Sequence, residues 1–462
     1  MADAVIGSTP VDEQLTPAGR RAIWGAFLGL AVDFYDIYLP VVALTPALIY
    51  FFPKNLPVST QATLNFIVFA VALIGRPIGA FIFGHLGDVI GRRRTTLIAV
   101  GGFASMTFLI GLLPGYATLG YGAIALLILA RLVDGVFMGG EYTSANPLAM
   151  EACPKRLRGF VGGFIQAAYP VAYIAISITV ILMLGLLSSK GLNSPYVQWG
   201  WRIPFFFGGL LGVAFLFYYV RVKESTAWEV AKSKGEATKA PLKQLFAGQN
   251  FRNLAQVFIL MTGMWLAVQT VISAMPVFLI TVLKQPAASV TRGLLISNVF
   301  LTIGYIVVAL LGQKYGRRLM LIVSGFWTLI LGTICYYLVI ANVLSKGSFV
   351  LTIVFATITL TLTIAPWGIV TSYINERFPT GVRASGFGIG YSLAVIIPSF
   401  YSFFLLGLAK LMPYQYTVLV LLVLAGAFQI VGAWMGPETR DVDLASLVAP
   451  GTKPTSPSVA PA

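Results

Sequence analysis

Apolar residues run on in long blocks along this chain. Twelve such blocks lie at about 22–50, 62–86, 95–113, 120–145, 159–187, 201–221, 252–283, 291–312, 319–341, 349–373, 384–408 and 414–436. Crossing a hydrocarbon core of roughly 30 Å takes a helix of about 20 apolar residues. Each block therefore predicts one transmembrane helix, the element whose backbone hydrogen bonds are satisfied inside itself. The first block is too long, and too broken by Asp33 and Asp36, for a cleaved signal segment.

The polar positions between the blocks repeat. Glu151-x-x-Pro154-x-x-x-Arg158 returns as Glu376-x-x-Pro379-x-x-x-Arg383, and Gly91-Arg92-Arg93 returns as Gly316-Arg317-Arg318, both at an offset of 225 residues. Two unrelated patterns sharing one long offset mark a duplication of about half the chain. A hydrophobic repeat of this size predicts a two-bundle secondary transporter. The expected fold is all-α and integral to the membrane, with twelve transmembrane helices in two six-helix bundles. The expected organisation is a tail over 1–20, a bundle over 21–222, a linker over 223–250, a second bundle over 251–436 and a tail over 437–462. The linker mixes acids with lysines, among them Lys234, Glu236 and Lys239, and reads as short amphipathic helices on the membrane face. The Pro/Ser/Ala-rich C-terminal tail and the first twenty residues read as unstructured. The first helix of each half carries a polar residue seven positions before a proline: Asp33 before Pro40, Gln269 before Pro276.

Composition narrows the class. Hydrophobic residues make up 58% and charged residues 10%, against about 25% charged in a soluble domain. A net charge of +15 would suggest a nucleic-acid partner in a soluble protein. Here the cations cluster in alternate loops: Arg92 to Arg94, Lys155 to Arg158, Arg221 to Arg252, Arg317 and Arg318. That is the positive-inside bias, which predicts a plasma (inner) membrane protein with both termini in the cytosol. The partner it implies is the lipid bilayer rather than nucleic acid. Cys153 and Cys335 fall in different halves, so no disulfide framework is expected, and His85 is the one histidine. Nothing around it supports a catalytic triad or a metal site. The expectation is no enzyme, no cofactor and no metal.

An acid inside a bilayer costs about 2.5–3.5 kcal/mol on insertion scales, which makes it a functional candidate. Asp33 and Asp36 share one face of the first helix. Asp33 falls roughly 18 Å from its cytosolic start, and Arg131 roughly 15 Å from the outer start of the fourth helix. Both distances reach the midplane. Side by side in low dielectric, the acids would repel and one could load and release a proton. Arg131 could hold a substrate carboxylate bidentately, or pair with Asp33, Asp36 or Asp134. A purely structural Arg131–Asp134 bridge is the plainer possibility. Gln166, Tyr169 and Tyr173 make one polar stripe of the fifth helix. Gln269, Asn298 and Trp367 are the substrate-binding candidates of the second half. A wall of neighbour-to-neighbour hydrogen bonds would use the same residue types.

Gly84-His85-Leu86-Gly87-Asp88-Val89-Ile90-Gly91-Arg92-Arg93-Arg94 resembles the signature loop of the major facilitator superfamily. Gly75-Arg76-Pro77-Ile78-Gly79 looks like the form in its metabolite:proton symporters. Arg131-x-x-x-Gly135-x-x-x-Gly139-Gly140-Glu141-Tyr142 is similar to the fourth-helix motif, whose arginine is linked there to proton coupling. Asp33-Phe34-Tyr35-Asp36 resembles the paired-acid first helix of aromatic-acid and related, sialate/lactate-type, proton symporters. Glu224-Ser225-x-Ala227-Trp228 and Pro437-Glu438-Thr439-Arg440 resemble the ends of each half in sugar and organic-acid porters. The resemblance spans about residues 20–440. One departure stands out: the position matching Asp88 is Gln313, which predicts a weaker second copy of the loop network.

The resemblance implies alternating access by rocking bundles, with a monomer as the default. Asp33, Asp36 and Arg131 would couple protons. Asp88, Arg92, Arg93, Glu151 and Arg158, mirrored by Arg317, Glu376 and Arg383, would latch the cytosolic side. The leading expectation is proton-coupled import of a small organic anion, a mono- or dicarboxylate and possibly aromatic. The alternative is a neutral sugar or polyol porter. A channel is disfavoured, because no charged ring repeats in both halves.

Overall fold

The computed structural model describes residues 14–53, 58–189, 191–233 and 240–444. Most of the C-terminal tail, the first thirteen residues, Lys54, Lys190 and the linker's Lys234, Glu236 and Lys239 lie outside them. Among the described residues, twelve helices are long and apolar enough to cross a membrane. They are α1 (Pro17–Leu44), α2 (Ile67–Val89), α3 (Arg92–Gly111), α4 (Tyr121–Glu151), α5 (Lys155–Leu186) and α6 (Tyr196–Tyr219), then α7 (Gly248–Ile280), α8 (Ser289–Tyr315), α9 (Arg317–Leu344), α10 (Phe349–Asn375), α11 (Thr380–Leu408) and α12 (Tyr414–Met435). Two six-helix bundles result. Large apolar side chains such as Leu109, Leu182, Phe217, Phe300 and Trp434 point outward, the surface that lipid requires.

Local chemistry explains the interruptions. α1 starts inside the stretch expected to be unstructured, because Thr16 caps the Gly19 N–H at 3.0 Å and Pro17 suits a first helical turn. Pro40 has no N–H to donate, and the π-helical turn Pro40–Leu44 begins there. α7 is broken likewise by π-helical turns at Gln269–Ser273 and Phe278–Val282, on either side of Pro276. The linker forms two short helices, Thr226–Ser233 and Pro241–Leu245, as its charge pattern predicts.

α2 and α4 approach at backbone distance. A Cβ on Gly79 would fall 1.9 Å from the Val136 carbonyl oxygen, and one on Gly139 2.2 Å from that of Arg76. Gly75-x-x-x-Gly79 facing Gly135-x-x-x-Gly139 is small-residue packing on both partners. It brings Arg76 against the middle of α4.

Candidate functional site

The loops rich in Arg and Lys gather at one end, called here the basic face, where the charge bias predicts cytosol. Gly91 and Gly316 turn the chain between α2 and α3 and between α8 and α9 with φ of 109° and 108°. Only glycine holds such a backbone without strain. Below each turn an acid from the end of the same half caps the next helix. Glu224 accepts from the Arg92 N–H at 3.0 Å and the Arg93 N–H at 3.1 Å, and Glu438 accepts from those of Arg317 at 2.8 Å and Arg318 at 3.1 Å. Free N–H groups at a helix start favour such an anion.

Between the halves the two copies diverge. Asp88 accepts from the Ala384 N–H at 3.1 Å, the Ser385 N–H at 2.9 Å and the Ser385 hydroxyl at 2.7 Å, all at the start of α11. It also pairs with Arg92 at 3.2 Å. Gln313, its counterpart, accepts from the Gly159 N–H at 3.0 Å and from Arg317 at 3.1 Å. Glu151 meets Arg383 of the other half at 2.7 Å and Arg92 at 3.5 Å. Glu376 meets Arg317 of its own half at 2.9 Å, but Arg158 across the gap only at 4.0 Å. Arg158 instead donates to the Val442 carbonyl at 2.8 Å, while Arg383 donates to that of Leu444 at 2.9 Å. Burial pushes the Glu376 carboxyl up to about 7, opposed by Arg317.

Arg93 does not join this latch. Its guanidinium donates to the Val220 carbonyl at 2.6 Å, inside its own half, because it points away from the gap at the start of α3. Cys153 is buried beside Glu151 and Arg158 on a cavity of about 1330 Å³.

Deeper in the first bundle the two acids of α1 separate. Asp33 pairs with Arg76, and Asp36 with Arg131 at 3.1 Å and the Thr107 hydroxyl at 2.8 Å. The side-by-side pair expected from sequence is thus two ion pairs, since residues three apart on α1 face α2 and α4 respectively. Arg131 also holds Asp134 at 2.6 Å. Both acids share its Nη1, and among the described residues its Nε and Nη2 are buried with no hydrogen-bond partner. Arg76 is the residue missed among the candidates. Its sequence signals were a cation inside an apolar run and its place in the Gly75-Arg76-Pro77-Ile78-Gly79 stretch.

Between the bundles lies an aromatic layer. Tyr38 sits 5.6 Å from Tyr169 and 5.5 Å from Tyr173, ring to ring. Arg76 lies over the Tyr142 ring at 4.8 Å, and Tyr142 packs against Tyr391 of α11 at 4.9 Å. Trp265 and Trp367 meet edge to face at 4.7 Å. The candidate amides are partly engaged. Gln166 donates to the Thr371 hydroxyl at 2.8 Å across the halves, Gln269 accepts from Ser273 at 2.7 Å, and Asn298 donates to the Leu294 carbonyl at 2.8 Å. Among the described residues, the Trp367 Nε1, the Asn298 Oδ1 and the Arg76 Nε and Nη1 are buried with no hydrogen-bond partner. Such groups are expensive to leave unmet.

Two bundles, charges buried at mid-depth and a latch between the halves define a secondary active transporter. No group of three metal-ligating side chains forms among the described residues. Residues 26–401 match the model of the Major Facilitator Superfamily, and the chain belongs to that family. It is a multi-pass inner-membrane protein. It is 34% identical to the inner membrane metabolite transport protein YhjE of Escherichia coli, over 84% of this chain and 87% of that one. The shikimate transporter of Escherichia coli is 29% identical over 86% and 89%, and the proline/betaine transporter of Salmonella typhimurium 28% over 82% and 75%. In fold it matches the proton:xylose symporter XylE with a TM-score of 0.74, at 17% identity, over 94% of this chain and 99% of that one.

Proposed function

We propose that this protein is a proton-coupled symporter of a small polar solute without net charge, a sugar, polyol or zwitterion. One observation carries the reading. Among the described residues, the acids Asp33, Asp36, Asp134 and Glu141 buried at mid-depth are met by two buried arginines, Arg76 and Arg131. An excess of buried acid repels an anionic solute and gives a proton a place to bind. The amide and indole groups of Gln166, Asn298 and Trp367 offer neutral hydrogen bonds, and the aromatic layer offers ring faces. The names of relatives span both charge types, since a proline/betaine transporter and a shikimate transporter, the latter named for a carboxylate, match about equally well. The excess of buried acid is what favours the reading without net charge.

Asp33 is the proposed proton carrier. Its Oδ1 is buried without a partner, whereas Asp36 is held by both Arg131 and Thr107. Arg76 releases Asp33 as the bundles rock, and the neutral acid then crosses without the cost of an unpaired charge. The latch of Asp88, Arg92, Glu151 and Arg383, with Arg158, Arg317 and Glu376, holds the basic face closed between turnovers. The proposed domain limits remain 21–222 and 251–436 around the linker, with cytosolic termini and a monomeric transporter.

A second reading keeps the organic anion. The free Nε and Nη1 of Arg76 could take a carboxylate bidentately, displacing Asp33. The test uses proteoliposomes holding a pH dye, given radiolabelled D-xylose, L-proline or shikimate. Symport predicts uptake with acidification inside, and Asp33→Asn keeps solute exchange but loses accumulation. Accumulation of shikimate alone, lost in Arg76→Lys, would select the anion. Accumulation unchanged in Asp33→Asn would remove that acid from coupling.

A further inference from the structure

Glu141 is used by none of the pairings above. It lies on α4 directly before Tyr142, is fully buried, and neither carboxylate oxygen has a hydrogen-bond partner. An ionised carboxylate left alone in apolar surroundings is far costlier than a neutral one. The neutral, protonated form is therefore the one that this pocket accommodates.

α1 makes the pocket. At Gly29 a Cβ would fall 2.1 Å from the Glu141 Oε1 and 2.9 Å from the Phe215 Cζ. One turn nearer the basic face, a Cβ at Gly25 would fall 2.9 Å from the Tyr219 ring. Asp33, Gly29 and Gly25 are spaced by four residues, so they line one side of α1 at intervals of about 6 Å. The Asp33 carboxyl, the Glu141 carboxyl and the Tyr219 ring thus follow one another toward the basic face. From there the Tyr219 hydroxyl donates to Thr96 Oγ1 at 3.4 Å, and Thr96 donates to the Arg92 carbonyl at 2.9 Å, at the latch. The groups facing Glu141 are Asp33 on α1, Arg76 on α2, its neighbour Tyr142 on α4 and Tyr219 on α6.

We propose that Glu141 is a second protonation site, a relay that carries the proton from Asp33 toward the basic face past Tyr219 and Thr96. When the latch opens, water reaches Glu141 and its carboxyl gives one proton to that water. The carboxylate left behind takes the proton held by Asp33 through a bridging water, and Asp33, ionised again, returns to Arg76. One proton enters and one leaves, and no bond between heavy atoms changes. This rests on the symport reading, and it accounts for a buried acid without a partner.

The test compares the full-length wild type with Glu141→Gln, which keeps the shape and cannot release a proton. Wild-type accumulation of D-xylose, L-proline or shikimate under an inward proton gradient tests symport by itself. The relay predicts that Glu141→Gln loses accumulation while solute exchange persists, and that Glu141→Asp restores part of it. Accumulation equal to wild type overturns the relay, and so does joint loss of exchange and accumulation, which marks a packing role. Infrared difference spectra between acid and alkaline pH decide independently of any solute. The expected result is a pH-dependent carboxylic-acid C=O band in the wild type that is missing in Glu141→Gln. An identical band in both proteins overturns the proposal even where no solute is moved.

Discussion

The two copies of the signature turn share a backbone and differ in charge. Gly91 and Gly316 have the same φ to within a degree, and both acids, Glu224 and Glu438, cap the next helix in the same way. Across the gap, the first copy offers a carboxylate that takes three hydrogen bonds from α11, and the second offers an amide that takes one from α5. The crossing ion pairs follow suit, tight at Glu151–Arg383 and loose at Arg158–Glu376. A duplicated scaffold has kept its turns while placing most of its latch strength on one side. Across the basic face the Asp88 side therefore carries the denser bonding between the halves and the Gln313 side the sparser.

The largest test breaks the stronger side. Asp88→Asn leaves Arg92 buried short of a charge partner, a loss of about 3–5 kcal/mol when one member of a buried pair is removed. Labelling of Cys153 by a membrane-impermeant maleimide, in a Cys335→Ser background, should accelerate strongly from the basic face. An unchanged rate would mean that Asp88 does not hold the gap closed. Next come Gly91→Ala and Gly316→Ala, each forcing alanine into a backbone region that costs about 1–3 kcal/mol. Thermal unfolding should show similar losses for the two, since the turns are alike. Cys153 exposure should rise more for Gly91→Ala, because that turn carries the stronger latch.

Gln313→Asp sharpens the comparison from the other side by restoring an acid beside Arg317. A charge-assisted bond exceeds a neutral one by about 1 kcal/mol, so Cys153 labelling should slow by several-fold. Faster labelling would show that the site cannot accommodate a carboxylate. The smallest effect concerns pH. Glu376 has its carboxyl raised to about 7, so it is ionised and attracts Arg317 and Arg158 above that pH. Below it the carboxyl is neutral and the attraction is lost. Cys153 labelling, corrected for thiolate content with a small thiol standard, should increase as pH falls through that region. Glu376→Gln should flatten the dependence.

Sequence alone determined the twelve crossings, the duplication and the turns, because these are properties of one dimension. Apolar run length sets a crossing, a constant offset reveals a repeat, and a glycine before paired arginines marks a turn in both halves. The weakness of the Gln313 copy was also legible, since a lost charge is visible without coordinates. The partner choices were not. Asp33 and Asp36 read as one pair until the rotation of α1 directed them to different helices, and Arg76 gained its place only through the glycine contact of α2 with α4. Arg93 read as a member of the latch until the start of α3 turned it to the Val220 carbonyl, and Arg158 divides itself between the Val442 carbonyl and a 4.0 Å approach to Glu376. Long side chains reach several neighbours from one position on a helix. Which neighbour they meet depends on helix rotation and on the depth of packing, and those are settled only when all twelve helices come together.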